Sequence, residues 1–586
     1  MLKKKSLILI LATALALTAC NGGQENNAPT QEGTQQEAGE NSENIEGAEH
    51  GATGAKDEQK EAGEMDAEQT LNTWEQEDPT SLNSAIGSDR SSFRILTNVM
   101  EPLVRQIENT DDSSITTEPA GAESWEVSED GLTWTFKIRE GMKWSNGDPL
   151  TAKDYEFGIT RSLDKEDGAG GMGWMLDCIK GATDSMAGKI KTDEVGVKAV
   201  DDTTLEITLN QETPYFLQLC STRPTLPINQ KVFEEHGENY GTAIDKIEFS
   251  GPFIITEWTH QTGLKLEKNP EYWDVENVHY ETVDWRILEE ETTRMNAFLN
   301  GEIDNVGTNI AEWQQQFQQL DNVFQREVKQ PAVDYLFFNT EKTPFNNPKV
   351  RLAFSLAIDR EEAIQAVYNG VGVPSYGLVM HGITMDEKEY RQEVAGPIQA
   401  LYDKHPDPKA LLVEGLEEEG LGSDPGALSV TLEFGGTSEK MKEIGDYLLN
   451  VFAEKLGVNV NVKLNEWTAF SSQVQDGNFE IGYMAWFADY NDPYHMLSLM
   501  LTDTDGLNTR WSNDEYDKLI QEGLSSKDPA ERLAKYGEAE SILSEESPVI
   551  PILNAISNTF RYDYVYGWQT SEFSTQGLKY GFTSGR

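Results

Sequence analysis

From Thr70 onward, segments patterned as strands alternate with segments patterned as helices, and this alternation constrains the fold more than any other feature of the chain. Trp134 to Arg139 alternates apolar and polar side chains, as a half-buried strand does. Asn146-Gly147 signals a tight turn. Thr151, with Asp154 three residues on, resembles a capping box with Asp in place of the usual Glu, and so opens a helix. Leu205 to Leu209 is a second alternating strand, and Val350 to Tyr368 carries helical spacing throughout. Met441 to Leu456 is helical too; Gly457 stops it, and Val458 to Leu464 follows as a strand. Strands alternating with helices imply an α/β architecture. The body takes up more than 500 of the 586 residues and holds all of the 13 Trp, 20 Tyr and 22 Phe. That suffices for a sizeable core and a prior of about three domains. No internal repeat at a fixed period is present.

The segment before this body has a different texture. Lys3, Lys4 and Lys5 precede an apolar run from Leu7 to Thr18. The run is too short for a membrane-spanning helix, which needs ~20 residues, and it suits a signal peptide over residues 1–19. It ends in Leu17-Thr18-Ala19-Cys20, which resembles a bacterial lipobox and implies cleavage before Cys20 and acylation of that residue. More than one acyl chain would give stable membrane anchoring where a single chain is marginal. Asn21 to Glu68 contains no Trp, Tyr or Phe and is rich in Gln, Glu, Asn, Gly and Ala. Such a stretch cannot bury enough apolar surface to fold, so residues 20–68 are expected to form a lipidated, acidic, disordered tether.

The formal net charge of −54 argues against nucleic acid as a partner. Cys178 and Cys220 could form a disulfide or remain two buried thiols, and the sequence leaves both open. Residues 168–173 match G-x-G-x-x-G, but the charged run Asp164-Lys165-Glu166-Asp167 precedes them, where a dinucleotide site needs a buried strand. A surface loop is the better reading. There is no Walker A loop, no G-x-S-x-G and no H-E-x-x-H, and the seven histidines are scattered. No cofactor, metal or catalytic residue is therefore expected, although 101 carboxylates would place some pair at hydrolase spacing by chance.

Several stretches, taken in order, are similar to the extracellular solute-binding proteins of family 5, the peptide-binding subunits of importers. Ser124-Trp125-Glu126-Val127-Ser128-Glu129-Asp130-Gly131-Leu132-Thr133-Trp134-Thr135-Phe136 runs into Arg139-Glu140-Gly141-Met142-Lys143-Trp144-Ser145-Asn146-Gly147. Val195 to Asp202 follows with Thr204-Leu205-Glu206, then Gly251-Pro252-Phe253 and Lys268-Asn269-Pro270-Glu271-Tyr272-Trp273. Pro344-Phe345-Asn346, Val350-Arg351 and Ala357-Ile358-Asp359-Arg360 come next. Asn465-Glu466-Trp467 and Trp486-Phe487-Ala488-Asp489-Tyr490-Asn491-Asp492-Pro493 complete the series. The resemblance implies a two-lobed periplasmic-binding-protein-like fold with a hinge and an additional small domain. Lobe I would comprise 69–105, 229–335 and 557–586, the extra domain 106–228, and lobe II 336–556. It also implies a monomer that captures oligopeptides between the lobes and delivers them to the membrane permease of an ABC transporter.

A binder of unspecified peptides must use the backbone, the ammonium and the carboxylate, the features every peptide shares. A buried ammonium needs an anion. Phe479 to Met484 reads as a strand, and Asp489 follows its carboxyl end, where α/β folds place ligand crevices. On residues alone a solvated or capping aspartate is the favoured reading; the resemblance assigns Asp489 to the peptide amine. It likewise implies Trp467 and Trp486 as walls of a side-chain pocket, and main-chain groups of Ala485 and Phe487 as partners of the peptide backbone. Asp492 precedes Pro493 and a helical stretch, and is expected to be a structural N-cap. Two departures bear on specificity. Tyr483 stands where some members carry an arginine that meets the ligand carboxylate, and Ser88, beside Asp89, stands where some carry a glutamate. A pocket without that arginine would admit longer peptides whose carboxylate is held elsewhere. Alternatives within the fold are a nickel chelate, haem, an oligosaccharide or a signalling peptide; outside it, a surface hydrolase or an adhesin.

Overall fold

The computed structural model describes residues 59, 61–87, 89–109, 115–168, 171–385, 388–502, 504, 506–569, 571 and 573–586. Cys20, the signal peptide, nearly all of the tether and Ser88 lie outside the described residues.

Three sheets organise the body. The first, in spatial order, is Thr70–Glu75, Thr282–Ile287, Gly263–Lys268 and Phe253–Thr259. Its first pair is parallel and the others antiparallel. Leu71, Val283, Leu264, Leu266 and Phe253 from these strands are buried in one core. The second sheet is antiparallel and runs Ala122–Val127, Thr133–Ile138, Thr204–Thr208, Val197–Asp201. The helix Ala152–Ser162 belongs with it and opens on the expected capping box, with Thr151 accepting from Lys153 N and Asp154 accepting from Thr151 N.

The third sheet runs Asn305–Gly307, Val549–Tyr562, Val323–Phe338, Ile481–Phe487, Ser429–Phe434, Asn459–Leu464. Ile481–Phe487, Ser429–Phe434 and Asn459–Leu464 are mutually parallel; Val323–Phe338 and Val549–Tyr562 pair antiparallel along most of their length. These two strands have 16 and 14 residues, so the ribbon is roughly 50 Å long. Its two halves serve different cores. Val323, Phe560 and Tyr562 pack with Phe298 and Phe317, whereas Leu336, Phe338 and Ile550 pack with Phe354, Leu432 and Phe452. The positions 335/336 and 556/557, where the lobes were expected to divide, fall inside these strands.

A buried ion pair joins segments remote in sequence. Glu101 and Arg105 are almost wholly buried and lie 3.3 Å apart. Glu101 also accepts from Tyr272 Oη (3.1 Å), Trp273 Nε1 (2.7 Å) and Gln576 Nε2 (2.5 Å), and Arg105 donates to Tyr580 Oη (3.0 Å). Tyr155 Oη, from the helix on the second sheet, donates to the Glu101 carbonyl.

Several sequence expectations need adjustment. The helical run from Val350 to Tyr368 is two helices, Pro348–Ala357 and Arg360–Val367, because Asp359 caps the second one through Glu362 N. The tether, expected to extend to Glu68, ends earlier. Asp66 N donates to Thr583 O, Glu64 O accepts from Ser584 Oγ, and Gln59 Nε2 donates to Val565 O. Hydrogen bonds with the carboxyl-terminal segment, both backbone and side-chain, hold this polar stretch, which supplies few apolar side chains of its own. Cys178 and Cys220 are buried free thiols, and burial pushes the Cys178 thiol up to about 12. Glycines in 168–173 follow a helix rather than a strand. A Cβ on Gly168 or Gly173 would strike Ser162 O, and one on Gly171 would strike Ala85 O, so close packing explains them.

The Glu101 cluster makes a prediction. Glu101→Ala should destabilise the body by ~3–5 kcal/mol, since Arg105 is left buried and unpaired. Removing both charges, with E101Q and R105M together, should cost less than E101Q alone. Urea denaturation of the purified variants measures the order; a double variant weaker than the single one would show that charge pairing is not what matters there.

Candidate functional site

The strand Ile481–Phe487 is covered on both edges only over its first half. Residues 481–483 pair with Leu432–Phe434 on one side, and residues 481–487 pair with residues 332–338 on the other. Ala488 N continues the second pairing by donating to Pro331 O (2.7 Å). In an antiparallel ladder the hydrogen-bonding residues alternate. If Ala488 faces Pro331, then Trp486 and Met484 also face the Val323–Phe338 strand. The main-chain groups of Ala485 and Phe487 therefore point to the opposite edge, which no described strand covers beyond Tyr483. Both residues are exposed.

The chain then turns through Ala488 to Asn491 into the short helix Pro493–Ser498. Asp492 caps that helix by accepting from Tyr494 N and is paired with the buried Arg532 (2.5 Å), so its role is structural, as expected. Asp489, three residues earlier, is free of such duty. Its carboxyl is half-buried, and burial pushes it up to about 6 despite the opposing pull of Arg223.

Its nearest partner is His495, with Nε2 3.2 Å from Asp489 Oδ2. The same nitrogen lies 3.2 Å from Trp486 Nε1, whose N–H can only donate. Burial holds the imidazole down at about 3, so it is neutral at ordinary pH. With the Nε2 lone pair taken by the indole, the ring proton sits on Nδ1, and His495 offers Asp489 no N–H from Nε2. The pair is thus not an ion pair. The ionised carboxylate is left poorly solvated, with Arg223 as the neighbouring charge. Arg223 is itself fixed by donating to Asp89 O (2.7 Å).

Asp489 lines a cavity of about 370 Å³ with Arg223, Phe487, Tyr490, Phe93 and Pro331. Beside Asp489, Tyr490 stacks on Tyr215 at 4.5 Å between ring centroids, and Tyr494 stacks on the same ring at 5.3 Å. Tyr490 and Leu524 join the core otherwise built from residues up to Ile287 and from the carboxyl-terminal Val565 and Leu578. The Asp489 turn therefore sits where separately cored parts of the body meet.

The remaining expected residues are placed differently. Phe487 lines the cavity, and the Trp486 indole serves it indirectly through His495. Trp467 opens the helix Trp467–Gln475, is 55% exposed and packs over Gly435 and Phe470, away from the cavity wall. Tyr483 is buried: its hydroxyl donates to Asp334 Oδ2 (2.6 Å), which Tyr368 Oη also reaches (2.9 Å), and its ring packs on Phe434. The structure does not bring Tyr483 or Trp467 to the cavity with Asp489. Asp89 caps the helix Arg90–Val99. Burial opposes its ionisation, but hydrogen bonds from Ser92 and Thr80 hold the carboxyl below its ordinary value. Sequence reasoning missed His495, Arg223 and Tyr215. His495 alone left a signal, standing in the first turn of the helix that Asp492 caps, where a side chain points back toward the preceding strand end.

The family described as bacterial extracellular solute-binding proteins, family 5 middle, matches residues 116–508. A dipeptide-binding protein of Bacillus subtilis, DppE, is 33% identical over 505 residues, covering 86% of this chain and 89% of the relative. The oligopeptide-binding protein OppA of the same organism is 31% identical, covering 86% and 90%. Among solved structures, the substrate-binding domain of an oligopeptide ABC transporter from Bacillus anthracis aligns at a TM-score of 0.69 with 28% identity, covering 89% of this chain and all of that one. Listeria monocytogenes OppA bound to peptide aligns at 0.68 with 26% identity and the same coverage. The sequence match and the α/β architecture agree, and this chain belongs to the bacterial extracellular solute-binding proteins of family 5.

Proposed function

We propose that this protein captures oligopeptides in the cleft at Asp489 and delivers them to the permease of an ABC transporter. One observation carries the reading: a half-buried carboxylate without a proton donor from its neighbouring imidazole lies beside a strand edge open at Ala485 and Phe487. Such a carboxylate is stabilised by an incoming ammonium, and such an edge can pair with an extended backbone regardless of side chains. Relatives named for binding dipeptides and oligopeptides support the same ligand class. Capture needs no catalytic group, and we read the protein as a binder rather than an enzyme.

We place lobe I around the first sheet with 229–335 and the carboxyl-terminal segment, the extra domain on the second sheet, and lobe II around 336–556. The bulged ribbon of Val323–Phe338 and Val549–Tyr562 would serve as hinge. Ligand touching both sides would favour closure over the open state. Cys20 would carry the lipid anchor, holding a monomer at the outer face of the cell membrane. Mass spectrometry of material released by acid from natively purified protein tests the ligand class. Mixed peptides are expected; a sugar, haem or metal chelate would overturn it.

Three outcomes are expected at Asp489. Asp489→Ala should weaken binding of free-amine peptides by roughly 3–5 kcal/mol, because the ammonium would be buried unpaired, and N-acetylated peptides should bind the unaltered protein poorly. Equal calorimetric affinities for acetylated and free peptides would rule out the amine role. Affinity should also depend on pH. The ammonium needs the ionised carboxylate, so titrations below pH about 6 should weaken binding by up to about tenfold per pH unit, while acetylated peptides show no such trend.

The third outcome concerns the empty protein. The folded-state carboxyl titrates above its unfolded value of 3.8, so ionisation costs stability. That cost is fully present above about 6 and disappears as pH falls toward 3.8. Asp489→Asn should therefore raise the ligand-free melting temperature at pH 8, corresponding to ~1–3 kcal/mol, with the gap closing toward pH 4. A variant no more stable than the original at pH 8 would contradict the electrostatic account.

A further inference from the structure

The cavity at Asp489 has walls from two parts of the body remote in sequence. Residues 487–491 line it from the end of the strand Ile481–Phe487, and Met172, Met175 and residues 221–224 line it from the extra domain. A second cavity, of about 450 Å³, adjoins the first, and Arg90, Phe93 and Phe487 line both. Among the described residues of 336–556, Phe487 alone lines the second one. Phe487 is 55% exposed, as is Trp467 farther along lobe II. The cleft is thus assembled at its Asp489 end and open beyond it.

A contact outside both cavities holds the assembled end. Asp489 belongs to a block of three helices. Asp492, capping Pro493–Ser498, pairs with Arg532 of the helix Pro529–Glu546, and Tyr516 Oη of the helix Asp514–Ser525 donates to Leu497 O (2.7 Å). The block meets the extra domain at three places. Tyr490 and Tyr494 stack on Tyr215. Leu524 is buried in the core that holds Leu209, Phe216 and Leu219. Lys527, in the turn between the two longer helices, lies 3.0 Å from Glu212 Oε1 and donates to Glu129 O (3.2 Å). Gly131 makes room for the Glu212 side chain, which a Cβ there would strike at 2.9 Å. Stacking and apolar burial supply most of the strength, since an exposed ion pair adds little. On the other flank of the cavity, Pro331 of the ribbon bulge lines the wall and accepts from Ala488 N. Two fixed points define an axis, and rotation about an axis moves each atom in proportion to its distance from it.

We propose that the Tyr215 contact is a second pivot of the cleft, paired with the ribbon bulge, so that the lobes turn about an axis passing beside Asp489. The walls near that axis move little as the cleft closes, whereas the Trp467 end of lobe II moves most. The Asp489 pocket is therefore assembled before a peptide arrives. The peptide docks amine first, and the rest of its backbone is covered afterwards. Preassembly lowers the ordering cost of binding. Tyr215, Leu524 and Lys527 are positioning residues, which line neither cavity and act by holding the Asp489 turn. The extra domain is the bearing on which lobe II turns. The inference rests on the peptide reading and the division into lobes given above, and adds to them where the motion is centred.

The test is the distance between spin labels, measured by pulsed electron paramagnetic resonance on the full chain in a C20S background. Cys178 and Cys220 are buried, so labels go to introduced cysteines at exposed positions. The pair E126C with A534C spans the contact, and the pair T293C with T468C spans the far end of the cleft. Trialanine is the probe, and calorimetry on the same labelled proteins reports its binding. At saturation the second distance should shorten while the first stays unchanged. A first distance that changes along with the second would overturn the pivot and leave peptide capture standing. Binding with no change in either distance would overturn it as well. Y215A should broaden the first distance distribution and weaken trialanine binding about tenfold, and Y215F, which keeps the ring, should recover most of the affinity. Full affinity in a folded Y215A would also overturn the pivot; the distance pairs decide the matter even if Y215A fails to fold. Failure of trialanine and of longer alanine peptides to bind would overturn this proposal together with the reading on which it rests.

Discussion

The antiparallel pairing of Val323–Phe338 with Val549–Tyr562 is the constraint on which the rest of the structure depends. Each strand passes from one hydrophobic core into another, so the cores are joined by continuous backbone rather than by surface contact alone. The register shifts between Lys329 and Val333, where Lys329 opposes Ile556 and Val333 opposes Asn554. Three residues on one strand then face one on the other, and an irregularity of this kind bends the ribbon and increases its twist. Pro331 lies in the bulge and has no N–H to give, while its carbonyl accepts from Ala488. That hydrogen bond fixes where the strand Ile481–Phe487 ends and hence where Asp489 projects. Pairing, bulge and site form one geometric statement.

Buried charge does a related job on the other side of the cleft. The segments around Glu101, Tyr272 and Gln576 are separated by hundreds of residues, yet all donate to one carboxylate. Asp304 acts in the same way. It accepts from Asn72 N, Tyr564 Oη and Arg586 Nη2, tying the first strand to the carboxyl terminus. Such clusters gain little net energy over apolar packing, but leaving one partner out is costly, so they favour a single arrangement of the segments. The helix Arg90–Val99, which brings Arg90, Phe93 and Arg94 to the cavities, immediately precedes Glu101 in the chain and is positioned by it.

Features fixed by neighbours in the chain were legible in the sequence. The Thr151–Asp154 box, the Asp492 cap, the stop at Gly457 and the alternating strands at 133–138 and 204–208 depend on local geometry and periodicity. The long Val350 to Tyr368 pattern misled because Asp359 interrupts it without breaking the apolar spacing. The interruption lets the buried Arg360 reach the carbonyls of Ser375 and Pro551, both outside the helix. The candidate site was legible only along its own strand. Ala485, Phe487 and Asp489 follow from one motif, whereas Arg223 and Tyr215 arrive from more than 250 residues away. Aligning Tyr483 and Trp467 with ligand-contacting positions gave their place in the chain. Their direction is set by packing partners such as Asp334, Phe434 and Gly435, which no local pattern reveals.

The electrostatics of Asp489 follow from which nitrogen of His495 is occupied. Were the imidazole to donate to the carboxylate, Asp489 would be satisfied in the empty protein and would gain little from a ligand ammonium. Trp486 prevents this by giving its N–H to the same Nε2. In the proposed role of Asp489, the indole acts on the ligand without touching it, by keeping the carboxylate short of donors until an ammonium arrives. Arg223 limits how far this goes, since its charge offsets part of the desolvation that burial imposes. On that proposal the site balances a carboxylate costly enough to favour binding against one that stays ionised above pH about 6. That balance depends on three side chains, Trp486, His495 and Arg223, which act on Asp489 from two parts of the chain that pack against each other at Tyr215 and Tyr490.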